Sequence, residues 1–152
     1  MNNLSLIKLL CYSGLIPFYL LSILSIYLKQ ELILDLFSLY SLVILSFLLG
    51  STWLQLIIYE YKDNLKLTKI LVVLYPIFLI IFEILLKFEI KIFLYALSYF
   101  IILLLDQRFL KNNEYLKIRK NLTILVIIPH IILLFNIYSN SIWNITKSIL
   151  VK

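Results

Sequence analysis

The chain has 152 residues, 63% of them hydrophobic and only 14% charged, with a mean hydropathy of +1.04 and a net charge of +6. A soluble domain is nearer half apolar and about a quarter charged, so an ordinary soluble fold is excluded and a polytopic membrane protein is indicated. The basic excess does not indicate nucleic acid, because Lys and Arg fall between apolar runs instead of covering one solvated face.

A hydrocarbon core about 30 Å thick needs about 20 apolar helical residues, and five runs approach that length. The first helix is expected over 9–28, between Lys8 and Lys29. Its apolar run exceeds the roughly 7 to 15 residues of a signal peptide, and it has no small-residue cleavage site, so retention is expected. The second, 36–59, lies between Asp35 and Glu60, and the third, 70–86, between Lys69 and Lys87. The fourth has an apolar centre of only Ile92 to Leu105 and is extended to 90–108, with Lys91 and Arg108 snorkelling to the headgroups. A re-entrant segment is its alternative. The fifth covers 122–138, and Ile142, Trp143, Ile145 and Ile149 follow at near-helical spacing, which predicts a short interfacial helix at the carboxyl terminus. The expected fold is one all-α domain over 1–152, a bundle of five transmembrane helices.

Orientation follows from Lys and Arg near the ends of the spans. Nine lie on the amino-terminal side: Lys8, Lys62, Lys66, Lys69, Arg108, Lys111, Lys117, Arg119 and Lys120. Five lie opposite: Lys29, Lys87, Lys91, Lys147 and Lys152. The amino terminus is therefore expected in the cytoplasm or mitochondrial matrix, and an odd number of spans puts the carboxyl terminus outside.

Small residues suggest where helices meet. In lipid, helices associate by close packing and interhelical hydrogen bonds, since burying apolar surface gains little. Val43, Ser46, Gly50, Trp53 and Ile57 form one stripe of the second helix, and Cys11, Gly14, Phe18, Ser22 and Ser25 one stripe of the first. The two stripes are expected to face each other, with Phe18 and Trp53 filling space beside the glycines. Pro17, Pro76 and Pro129 lie nine, seven and nine residues beyond Lys8, Lys69 and Lys120, a shared depth of about 10 to 14 Å. Each proline frees a carbonyl one turn earlier and kinks its helix. A common layer of freed acceptors would suit a transporter cavity, although chance alignment of tolerated prolines is the simpler account.

Glu83 and His130 are the ionisable groups, tyrosine aside, well inside apolar runs, and such groups are functional candidates. Glu83 precedes Lys87 by four residues in the favourable order, so an ion pair capping the helix end is expected, with an ion or proton role as the alternative. His130 is expected to donate to a carbonyl freed by a proline on a neighbouring helix, or else to relay protons. No metal or haem site is expected, because there is no second His and Cys11 is the only thiol, which also excludes an intrachain disulfide. Two glycines, both within helices, leave no phosphate-cradling loop. Asn121 and Asn144 begin N-x-T triplets, a weak signal without a secretory context. The basic loop before the fifth helix is expected to anchor on an anionic leaflet, or to dock a protein partner.

The segments "SGLIPF" (Ser13 to Phe18) and "YSLVILSFLLGSTW" (Tyr40 to Trp53), with "DQR" (Asp106 to Arg108) and "EYLKIRKNLT" (Glu114 to Thr123), agree in order and spacing with a known family. Along nearly all its length the chain resembles the small membrane proteins of unknown function that include transmembrane protein 69 (domain of unknown function 3429). It departs at Thr52 and Leu54, where the family pattern has His before the tryptophan and Gly after it. The resemblance implies a five-helix protein of bacterial inner membranes or the mitochondrial inner membrane, and no activity. It favours Asp106, Arg108, Tyr115 and Arg119 as docking residues. The function expected is a non-enzymatic assembly factor or structural subunit of a membrane complex, without cofactor, whose partners are the bilayer and other membrane subunits. A small transporter or proton-coupled protein using Glu83 and His130 is the alternative.

Overall fold

The computed structural model describes residues 3–28, 31–58, 66–109 and 113–150. Among these, the regular elements are helices: α1 (Asn3–Ser13), α2 (Ile16–Leu28), α3 (Glu31–Ile58), α4 (Lys66–Leu85), α5 (Phe88–Phe109) and α6 (Asn113–Leu150). Five stretches are long and apolar enough to cross a membrane, at 20 to 28 residues each: Lys8–Leu28, Glu31–Ile58, Lys66–Leu85, Phe88–Phe109 and Asn113–Ser139. The five-helix membrane bundle is thus present. Lys29, Lys62, Lys111 and Lys152, counted above for orientation, lie outside the described residues. So do the end of the second run at Tyr59 and the side chains of Ile142, Trp143, Asn144, Ile145, Lys147 and Ile149.

The first span is two helices, not one. Leu15 N donates to Tyr12 O at 3.0 Å, a tightened turn, and Gly14 N reaches Leu10 O at only 3.4 Å. Pro17 then occupies the second position of α2, where its missing N–H leaves no bond unmade. The freed Gly14 carbonyl accepts the Tyr40 hydroxyl of α3 at 2.8 Å. The fourth span is longer than its apolar centre: α5 has 22 residues, about 33 Å, enough for a full crossing. At the other end, α6 runs unbroken to Leu150, so the backbone of the expected interfacial helix continues the fifth span.

Helices α2, α3, α5 and α6 pack as a closed ring, each against its neighbours, and α4 lies outside it against α3. Accordingly α4 buries only Val72 and Leu79. The surface is apolar, with Phe47, Ile84 and Phe135 among the most exposed side chains, while Ser22, Ser41, Thr52, Asp106, Arg119 and His130 are buried. That inversion suits hydrocarbon, where outward apolar groups cost nothing and polar groups must find partners inside.

On the stripe of the first span, Phe18, Ser22 and Ser25 are buried, while Cys11 and Gly14 are half-buried. The expected partner face of α3 is not buried in this way. Trp53 is 40% exposed and Val43 and Ile57 are exposed too, and a Cβ at Gly50 would meet nothing within 4 Å. Ser46, Gly50 and Trp53 instead line a shallow cavity of about 240 Å³ with Val72, Val73 and Pro76 of α4. The face of α3 that packs inward carries Phe37, Ser38, Ser41, Leu45, Leu49, Thr52 and Leu56.

Candidate functional site

The centre of the bundle is built around His130. Pro129 cannot donate a backbone bond, so the Leu125 carbonyl four residues earlier is freed, and the Tyr19 hydroxyl of α2 fills it at 2.9 Å. One residue on, the His130 imidazole is fully buried. Its Nδ1 lies 2.9 Å from the Val126 carbonyl and its Nε2 3.0 Å from Ser41 Oγ. A carbonyl only accepts, so Nδ1 carries the proton and Nε2 of the neutral ring accepts from Ser41. The Tyr99 hydroxyl donates to the Ser41 carbonyl at 3.2 Å and lies 3.3 Å from Ser41 Oγ. Phe37, Tyr99 and Phe18 surround the imidazole with ring centroids at 4.8, 5.5 and 5.6 Å. The expected donation to a neighbouring helix's freed carbonyl is therefore incorrect. Tyrosine hydroxyls, which reach further, take the carbonyls of Gly14 and Leu125, and His130 turns back onto its own helix.

A second cluster gathers on Glu83, near the end of α4. Oε1 accepts from Lys91 Nζ at 2.8 Å and from Ser38 Oγ at 2.7 Å, and Oε2 accepts a short hydrogen bond from the Tyr95 hydroxyl. The expected pair with Lys87 does not form. Helix α4 ends at Leu85, so the four-residue register is lost before Lys87, which is exposed. Lys91, expected to snorkel, is buried in this pair.

A third cluster lies toward the end of α5 and the start of α6. Asp106, 1% exposed, and Arg119, 5% exposed, pair across the two helices. Arg119 Nε is 2.8 Å from Asp106 Oδ2, a charge contact whose N–H is not aligned on the oxygen. Thr52 donates to Asp106 Oδ1 at 2.8 Å, and Arg119 Nη2 to Ser51 Oγ at 2.9 Å. The guanidinium also sits 5.8 Å from the Tyr115 ring centroid. Of the four expected docking residues, then, Asp106 and Arg119 are buried and paired with each other, so neither stands on the outer surface. Arg108 is exposed, over the Phe109 ring, and Tyr115 is half-buried.

Helix α5 connects the clusters, with Lys91, Tyr95, Tyr99, Ile102 and Asp106 all buried. Ser38 with Tyr95 and Ser41 with Tyr99 stand one turn apart, so the Glu83 and His130 clusters adjoin. Beyond Tyr99, seven residues, about 10 Å, separate it from Asp106, and the buried Leu45, Leu49 and Ile102 occupy that layer. Of the three prolines, Pro76 borders the mainly apolar cavity beside Gly50. A separate crevice reaches Phe18 and Val126 and is walled mainly by apolar side chains.

Ser41 and His130 stand at the spacing of a nucleophile and its base. Both are sealed, however, and neither lines that crevice. No group of three His, Cys, Asp or Glu residues that could hold a metal occurs among the described residues. Sequence reasoning missed Ser38, Ser41, Thr52, Lys91, Tyr95 and Tyr99. The signal for those on α3 was the hydroxyl stripe itself, which marks the inward face better than the glycine does. A family model, "Protein of unknown function (DUF3429)", matches residues 5–135. No curated protein and no solved structure matches the chain.

Proposed function

Because the chain belongs to the DUF3429 family of proteins of unknown function, its role must be read from the bundle, and we propose a non-enzymatic accessory protein of a membrane complex. It would act as an assembly factor or structural subunit of a bacterial or mitochondrial inner membrane. One observation carries this reading: Glu83, Asp106, Arg119 and Lys91 are all spent on contacts within the bundle. In such a protein the polar groups hold helices together, and recognition falls to the outer surface. The positive side is the natural docking face. With Arg119 and Lys91 engaged inside, eight basic residues still stand on the amino-terminal side against four opposite, which favours a cytoplasmic or matrix amino terminus.

The test is the native mass of what accompanies the tagged protein in mild detergent. A stoichiometric partner, released by Arg108→Glu together with Lys117→Glu, is the expected result. A bare monomer or homodimer would overturn the accessory role. One observation favours the proton-coupled alternative, the contiguity of the Glu83 and His130 clusters. The apolar layer of Leu45, Leu49 and Ile102 opposes it, since protons cannot hop across about 10 Å without polar carriers. Proton flux in vesicles that Glu83→Gln and His130→Ala abolish would reverse this preference.

A further inference from the structure

The crevice between α1, α2, α3 and α6 plays no part in the reading above. Its volume is about 250 Å³, room for roughly eight groups the size of a water molecule. One wall runs from Leu10 to Phe18 and another from Tyr115 to Val126, so it extends about 12 to 16 Å along the bundle. Leu10 and Phe47, both exposed, border it, so it opens on the outer face of a membrane-spanning region. Arg119 is the one charged residue among the described lining and sits at the end nearest the start of α6.

We propose that this crevice is a binding site for an anionic phospholipid, with an acyl chain along Phe18 and Val126 and the phosphate at the Arg119 end. Three observations select that occupant. The crevice opens where only hydrocarbon-soluble groups are at hand, and its walls are almost wholly apolar. A partner helix, about 10 to 12 Å across with its side chains, would need several times the volume, whereas one acyl chain fits a long, narrow slot. The charge is complementary as well. Asp106 offsets Arg119, but exposed Lys8 lies one turn from Cys11, and exposed Lys117 and Lys120 flank Arg119 on α6. Basic pockets between helices on the cytoplasmic side are suited to anionic headgroups.

The test is native mass spectrometry of the full chain released from nanodiscs of phosphatidylcholine doped with phosphatidylglycerol. The wild type should retain one phosphatidylglycerol per chain. Lys8→Gln with Lys120→Gln should weaken retention about fivefold per charge removed. Cys11→Phe, or Ile44→Phe from the facing wall should the first not fold, fills the slot and should abolish it. Three results would overturn the site: equal retention of phosphatidylcholine, retention of free fatty acid only, or undiminished phosphatidylglycerol on a folded slot-filling variant. The accessory role is read from protein that co-purifies, so failure of one leaves the other standing.

Discussion

Removing either partner of the Asp106–Arg119 pair should be among the most damaging single changes in the protein. Arg119→Gln leaves the Asp106 carboxylate, 1% exposed, with the Thr52 hydroxyl at 2.8 Å as its remaining partner among the described residues. Breaking a buried ion pair from one side costs about 3–5 kcal/mol, a factor of roughly 10² to 10³ or more in the folded population. Asp106→Asn keeps the Thr52 contact but leaves Arg119 uncompensated beside Ser51 and Tyr115. In the double variant neither charge is stranded. Its loss should therefore fall short of the sum of the two singles by about 2 kcal/mol or more, within the range of couplings seen for contacting residues. Equilibrium unfolding in mixed micelles of mild and denaturing detergent, run as a double-mutant cycle, measures this directly. Additivity within about 0.5 kcal/mol would show that the two side chains do not share a pair in the membrane, and the account of α5–α6 pairing would fail.

Lys91→Ala should lower the detergent unfolding midpoint clearly, since it strands Glu83, while Lys87→Ala should leave it within about 0.5 kcal/mol; equal effects would restore the local pair. Gly50→Ala, into open space, should be neutral or stabilising by up to about 1 kcal/mol as measured by thermal stability. Gly14→Ala should also be close to neutral, because the new Cβ would stand in ordinary van der Waals contact, 3.4 Å from Cys11 O and 3.9 Å from the Tyr40 hydroxyl. Tyr19→Phe and Tyr40→Phe should each cost about 0.5–1.5 kcal/mol, the worth of one hydrogen bond. A single cysteine introduced at Lys117 of a Cys11→Ala protein should react with membrane-impermeant maleimide only from the cytoplasmic or matrix side.

The spans were legible because hydrocarbon imposes a length, and about 20 apolar residues can be counted in a sequence. Which face of each span turns inward was less so. On α3 the search for close backbone approach selected Ser46 and Gly50, whereas the inward face is set by Ser38, Ser41 and Thr52, hydroxyls whose partners are a carboxylate, an imidazole and another carboxylate on three other helices. Such partners are 45 to 89 residues away in sequence, beyond any local pattern. Asp106 and Arg119 are expected as docking surface from the family resemblance, although 90–108 already includes Asp106, and a fifth span begun at Leu122 leaves Arg119 outside. Helix α6 in fact begins at Asn113, which draws Arg119 inside to meet Asp106. Glu83 was misassigned for the opposite reason, a helix taken to continue past its end at Leu85.

The placement of charge on α5 has a consequence for how the protein is made. Lys91 and Asp106 stand near the two ends of one helix, and their partners belong to the helices before and after it. A span emerging from the translocation machinery with one lysine and one aspartate carries an insertion penalty that eases toward the membrane boundaries. Glu83 is already waiting eight residues back, and Arg119 arrives thirteen residues on. Both neutralising partners are thus delivered by adjacent helices, so α5 can be settled during synthesis without waiting for the first two spans to close the ring.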